Sequence, residues 1–259
     1  ALAQLPTGAW LAPTRCAGWR ARDVLAHLTD TATRRLAAQA APPGPESPPL
    51  LEGPALLALI HRLNAEGVAT RRGLPLEHVK QEAREASQAL VAWAEGVRAL
   101  QAPARFPVSW AGQRASPLWL DLAREYMERW LHQMHIREAA GLAPERLLAS
   151  AFYLPFLNAA AQALPALYHS VIANEGTCLA LRAQAGALRW QCKLVRFGKS
   201  WQLAARGPQA SAVAELDGAR LWCLVAGQWP KAGQEGLFIR TYGHQDLIAP
   251  LLRWRAFVV

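Results

Sequence analysis

From Trp19 to about Ala40 the apolar positions Val24, Leu25, Leu28, Ala32 and Leu36 recur at three- and four-residue spacings, which draws one stripe along a helix. A second helical run follows Pro54 with Leu56, Leu57, Ile60 and Leu63. A third starts near Pro75 and reaches about Leu100, with Pro103 and Pro107 as its stop. Between the first two, the run from Ala41 to Pro49 is dominated by proline, which lacks the amide donor of a helix or a central strand, and it reads as a polyproline-type loop. The fourth helix opens after Ser116-Pro117, a capping hydroxyl followed by proline at the first helical position, and closes at Gly141. Four long amphipathic helices are expected to pack as an antiparallel bundle. A further helical segment, roughly 147–173, carries its own breakers at Pro155 and Pro165.

After Asn174-Glu175-Gly176 the period drops from 3.6 to 2. Thr177–Arg182, Ala187–Val195 and Ser200–Ala204 alternate as strands do, Gly186 and Gly198 fall at turn positions, and a helix from Asp246 to about Trp254 is expected to pack on the sheet. The fold class is therefore α plus α+β. A helical bundle is expected over residues 1–145, and an α+β domain with a leading helix over 146–259.

Composition removes several classes. With 52% hydrophobic and 18% charged residues the chain is neither disordered nor disulfide-stapled, and no stretch approaches the roughly 18 uninterrupted apolar residues of a membrane span. The opening Ala1–Pro6 has no basic segment or apolar core of a secretory signal, so a cytoplasmic location is expected, with no membrane partner. Cys16, Cys178, Cys192 and Cys223 contain no C-x-x-C, which argues against a zinc ribbon and a thioredoxin-like pair; they read as free thiols, a hairpin link between Cys178 and Cys192 being the alternative. The net charge of +9 is dispersed, with no basic run longer than two, so it favours anionic small molecules over nucleic acid.

The fourth helix holds the densest ligand-type chemistry. At 100° per residue Glu128, His132 and His135 lie within about 60° of one another, between apolar flanks. Glu-x-x-x-His puts an oxygen and an imidazole one turn apart, a spacing at which both reach one divalent ion; the same spacing also suits a plain solvated pair. His27, beside the apolar side of the first helix, is the best candidate for a third ligand, or else a hydrogen-bonded core histidine. His61 and His78 read as surface. Cys16, just before Trp19, is the one cysteine with a candidate chemical role.

These residues carry a resemblance. Trp19–Leu28 (Trp-Arg-Ala-Arg-Asp-Val-Leu-Ala-His-Leu) resembles the W-x-x-x-D-V-x-x-H-L signature of the DinB/YfiT-like metalloprotein superfamily. Glu128–Arg137 resembles the E-x-x-x-H-x-x-D/Q-I-R helix of its mycothiol-dependent maleylpyruvate isomerase branch, and the likeness extends to Asn64, to Pro107–Trp110 and to a sterol-carrier-like C-terminal domain. The resemblance implies a DinB-like four-helix bundle binding Zn²⁺, or another divalent metal, through His27, Glu128 and His132. His135 stands where many relatives have Asp or Gln, as an alternative ligand or a neighbour of the ligands. It further implies a low-molecular-weight thiol cofactor such as mycothiol or bacillithiol, and an isomerase or S-transferase acting on a small electrophilic, anionic substrate. A metal-dependent hydrolase using the same ligands, and a non-catalytic binder of a small apolar ligand suggested by the 11 Trp residues, are the other readings.

Overall fold

The computed structural model describes residues 5–41, 53–112, 115–228, 236 and 238–257; most of the proline-rich run expected as a loop lies outside them. The chain divides into two compact units, Ala1–Phe106 with Pro117–Pro144, and Pro107–Ser116 with Glu145–Val259.

The first unit holds a short helix α1 (Thr7–Trp10) and four long ones, α2 (Ala21–Ala40), α3 (Gly53–Arg72), α4 (Leu76–Gly96) and α5 (Leu118–Ala139). The long helices fall where the apolar spacing put them. α2 packs against α3, α4 and α5, and its fully buried Val24 and Ala32 lie on the stripe read from the sequence. At its N-terminus the Arg20 amide donates to Asp23 Oδ2 at 3.0 Å, so the aspartate of the W-x-x-x-D motif satisfies one of the amides that an opening helix turn leaves unpaired. α5 closes as expected: Gly141 has φ 65°, its amide donates to Glu138 O, and the Leu142 amide reaches back to Arg137 O at 2.8 Å. Two details differ. α4 ends at Gly96, earlier than the prolines require. Ser116 does not cap α5; its hydroxyl accepts from the Val108 amide at 2.9 Å, and Pro117 takes the capping position.

The pairing across α2 and α5 fixes their direction. Arg35, late in α2, forms a buried ion pair with Asp121, early in α5, while His27 lies 4.8 Å, ring to ring, from His132 further along. The two helices are therefore antiparallel.

In the second unit α6 (Glu145–Leu148), α7 (Ser150–Ala160) and α8 (Leu164–Leu167) replace the single segment expected over 147–173. Pro165 starts α8 rather than breaking a longer helix, as proline's fixed φ suits a first turn. The strands β1 (Cys178–Ala185), β2 (Leu188–Phe197), β3 (Ser200–Ala204), β4 (Ala212–Asp217) and β5 (Phe238–Gly243) form one mixed sheet in the order β3-β2-β1-β4-β5. The hairpins β1–β2 and β2–β3 and the pair β4–β5 are antiparallel, and β1–β4 is parallel. α9 (Leu221–Val225) and α10 (Gln245–Ile248) complete the chain's helices as described; the expected last helix is reduced to α10 and a 3₁₀ turn, Ala249–Arg253. Cys178 faces Val195 and Cys192 faces Leu181 across the hairpin, and all four cysteines are free thiols.

Several indoles build this core. The Trp190, Trp201 and Trp254 N–H groups donate to Asn158 Oδ1, Val171 O and Ala160 O at 2.9–3.0 Å, and the Trp190 and Trp254 rings stack 6.2 Å apart. Burying both the ring and a satisfied N–H is the stable use of a tryptophan.

Candidate metal centre

Three elements of the first unit converge. α5 carries Glu128, His132 and His135 on one stripe, and α2 presents His27 one turn past the Asp23 cap. The loop before α2 presents Cys16. His27, His132 and His135 are buried, Glu128 and Cys16 partly so.

His132 stands between two groups of neighbours. Its Nε2 lies 3.4 Å from Glu128 Oε2, and the ligand atoms of His27, Glu128 and His132 all lie within 4.8 Å of one another. Its Nδ1 lies on the other edge of the ring, 3.3 Å from His135 Nδ1 and 3.9 Å from Cys16 Sγ. Cys16 Sγ is 3.3 Å from His135 Nδ1. His27 Nδ1 is buried and has no hydrogen-bond partner among the described residues. A nitrogen left so costs about 1–3 kcal/mol.

Electrostatics follows from the packing. Burial lowers the His27 pKa, outweighing the Glu128 carboxylate beside it, and leaves a neutral imidazole with a lone pair. Burial alone would raise the Glu128 carboxyl, but hydrogen bonds and charge from His132 and His27 outweigh it and hold it well below the usual carboxylate range. His132 is pushed up to about 9: burial opposes its charge, and Cys16 and Glu128 on its two edges prevail. The Cys16 thiol is brought down to about 6, burial being overcome by His132 and His135.

Two imidazoles and one carboxylate are the donor set of a three-ligand zinc site with one open position. The 3.4 Å between His132 Nε2 and Glu128 Oε2 matches the edge of about 3.3 Å that two N/O ligands subtend at a tetrahedral zinc. The His27 nitrogen that meets the Glu128 carboxylate is the other one, Nε2, and it is of the same donor type. The residues fit a zinc-type dication.

Of the other histidines singled out, His61 is exposed, and His78 pairs with Glu82 on its own helix at 3.2 Å. Sequence reasoning missed Arg129. All three of its guanidinium nitrogens are buried without a hydrogen-bond partner among the described residues, and its charge neighbours are Glu125 and Glu128. Its place one residue after Glu128 was the available signal. The contacts of Cys16 with His132 and His135, 116 and 119 residues away, had no signal in spacing.

A DinB-like helical domain carrying a His–Glu–His donor set, followed by an α+β domain, is the class that fold and site define. Residues 1–137 match the family described as mycothiol maleylpyruvate isomerase N-terminal domain, and the chain belongs to that family. Among solved structures, a histidine-to-alanine mutant of the mycothiol-dependent maleylpyruvate isomerase is similar in fold, with a TM-score of 0.50 and 17% identity over 92% of this chain and 89% of that chain. The same isomerase without the mutation gives 0.49 and 18% over the same shares. No curated protein is similar enough in sequence to count as a match.

Proposed function

We propose that the chain is a divalent-metal-dependent enzyme that uses a low-molecular-weight thiol to isomerise, or to transfer sulfur to, a small electrophilic and anionic substrate. The observation that carries this reading is the convergence of His27 from α2 with Glu128 and His132 from α5, in a chain whose family is named for a mycothiol-dependent isomerase. His27, Glu128 and His132 would hold the ion, zinc being the best match to two nitrogens and an oxygen. When bound, such a dication keeps a coordinated thiol deprotonated at neutral pH, which supplies a nucleophile toward an electron-poor double bond.

The chain's own residues supply the rest. His27, kept neutral by burial, offers a lone pair without having to lose a proton first. Glu128 would contribute the negative charge that two imidazoles lack once His132 has given up a ring proton to ligate. Arg129 carries a guanidinium with unused donors in the same stretch of α5, and a substrate carboxylate is the group that matches its planar fork. That match and the net charge of +9 support an anionic substrate.

The test is metal content alongside thiol addition. Purified protein should hold zinc, and in the presence of mycothiol it should isomerise a maleyl-type cis-alkene acid or add the thiol to it. His132→Ala should lose most of the metal, since two remaining ligands seldom retain zinc, and should lose the activity with it; His78→Ala should keep both. Wild-type protein that never exceeds trace metal after loading overturns the reading.

A further inference from the structure

The stripe of α5 has a second set of donors that the reading above does not use. Cys16 Sγ, His132 Nδ1 and His135 Nδ1 form a triangle with edges of 3.3, 3.3 and 3.9 Å. Taking zinc–nitrogen and zinc–sulfur bonds of about 2.05 and 2.3 Å, a tetrahedral ion subtends an N–N edge of about 3.3 Å and S–N edges of about 3.6 Å. The N–N edge is met, and the two S–N edges bracket theirs with a mean of 3.6 Å.

The sulfur is held there by structure. In the loop carrying it, the Thr14 amide and hydroxyl both donate to Trp19 O, the Cys16 amide donates to Thr14 Oγ1 at 3.1 Å, and the Trp19 amide donates to Cys16 O at 2.9 Å. Arg15 ties the loop to α5 by two parallel bonds to Glu138, at 2.7 and 2.9 Å, one helical turn beyond His135. Cys16 also packs against the cluster of Trp10, Ala21, Val24 and Ile136. The loop thus delivers one sulfur to two imidazole nitrogens with ordered backbone on both sides.

We propose that Cys16, His132 and His135 bind a second divalent ion of the zinc type. It shares His132 with the first site, Nε2 serving the His27–Glu128 side and Nδ1 the Cys16–His135 side. This goes beyond the proposed function and rests on it only for the shared ligand. A thiolate with two imidazoles is a softer donor set than His27, Glu128 and His132, so this position favours thiophilic ions such as Zn²⁺ and Co²⁺ over Mg²⁺ or Ca²⁺. Cys16 and His132 together carry two ionisable protons; binding here releases one of them to solvent, and filling both positions releases the other.

The full chain, stripped of metal and titrated with Co²⁺, tests this with readouts other than activity. Two equivalents are expected, one of them bringing the near-ultraviolet thiolate-to-cobalt charge-transfer band. Cys16→Ser, or Cys16→Ala should the serine variant fold poorly, should lose the band and one equivalent and keep the other. His27→Ala should lose one equivalent and keep the band, and His132→Ala should lose both. In wild-type protein a second equivalent of zinc should protect Cys16 from alkylation, a check that needs no variant. A single equivalent without a thiolate band, unchanged in Cys16→Ser, overturns the second site and leaves the first intact. A single equivalent carrying the band and indifferent to His27→Ala retains Cys16 ligation and overturns the first site instead.

Discussion

The buried ion pair between Arg35 and Asp121 is the contact whose removal should be felt most in the helical unit. The two side chains are 3% and 0% exposed. The Arg35 guanidinium lies 5.3 Å from the ring centres of both Trp93 and Phe106, and Arg124 gives Asp121 a second cation at 2.5 Å. This asymmetry yields a prediction. Asp121→Asn leaves the Arg35 charge buried without its anion, the situation that costs about 3–5 kcal/mol; the retained amide oxygen puts the expected loss near 3 kcal/mol. Arg35→Met removes the buried cation, keeps an apolar stem between the rings and leaves Asp121 paired with Arg124, for a loss of about 1–2 kcal/mol. At about 2–4 °C per kcal/mol, Asp121→Asn should lower Tm by on the order of 10 °C.

The pair also matters to the site. Asp121 precedes Glu128 by seven residues on α5, and Arg35 follows His27 by eight on α2, so the clamp lies roughly two turns, 10–12 Å, from the donor cluster on both helices. Urea unfolding of metal-free wild type, Asp121→Asn and Arg35→Met, followed by far-UV circular dichroism, measures the three stabilities directly. Equal losses in the two variants, or an Asp121→Asn within 0.5 kcal/mol of wild type, would refute the assignment of Asp121 as the anion on which two arginines depend.

Tyr153 is buried in the second unit with its hydroxyl donating to Gly218 O at 2.8 Å and accepting from the Trp222 amide at 3.2 Å, so Tyr153→Phe removes two internal bonds and should cost about 2 kcal/mol in urea unfolding. In metal-free protein, alkylation of Cys16 by iodoacetamide should rise with pH to half its plateau rate near pH 6, since its two imidazoles favour the thiolate, whereas Cys192, pushed up to about 12 by burial, should stay unmodified at pH 7; peptide mapping of the labelled thiols distinguishes them.

Legibility in the sequence followed the range of each interaction. The long helices were readable because their signals are local: apolar spacing within α2 and α5, and Gly141 with a left-handed φ at the end of α5. β4 had a readable alternation too, Ala212, Ala214 and Leu216 being buried and Val213, Glu215 and Asp217 less so, but alanine is a weak marker of a strand face. Its parallel pairing with β1 rests on a connection across the sheet, which no local period encodes. Ser116 illustrates a local signal overruled. A serine before proline at a helix start is a good cap, yet the Val108 amide, itself buried and in need of an acceptor, takes the hydroxyl.

The candidate site divides along the same line. Glu128 and His132 were readable as a pair because four residues make one turn, and His27 was readable through its place beside the apolar side of α2 and through the W-x-x-x-D-V-x-x-H-L resemblance. What periodicity cannot state is which edge of an imidazole faces which neighbour. On the helix wheel Glu128, His132 and His135 form one undivided stripe and look interchangeable. In the fold α2 approaches that stripe at Glu128 and His132, and the Thr14–Trp19 loop approaches it at His132 and His135, so His132 alone meets both. A one-turn repeat of ligand-type residues therefore becomes two donor sets only when a second and a third segment arrive. The ion pair of Arg15 with Glu138, two charges 123 residues apart, and the packing of Cys16 against Trp10, Val24 and Ile136 hold the third in place.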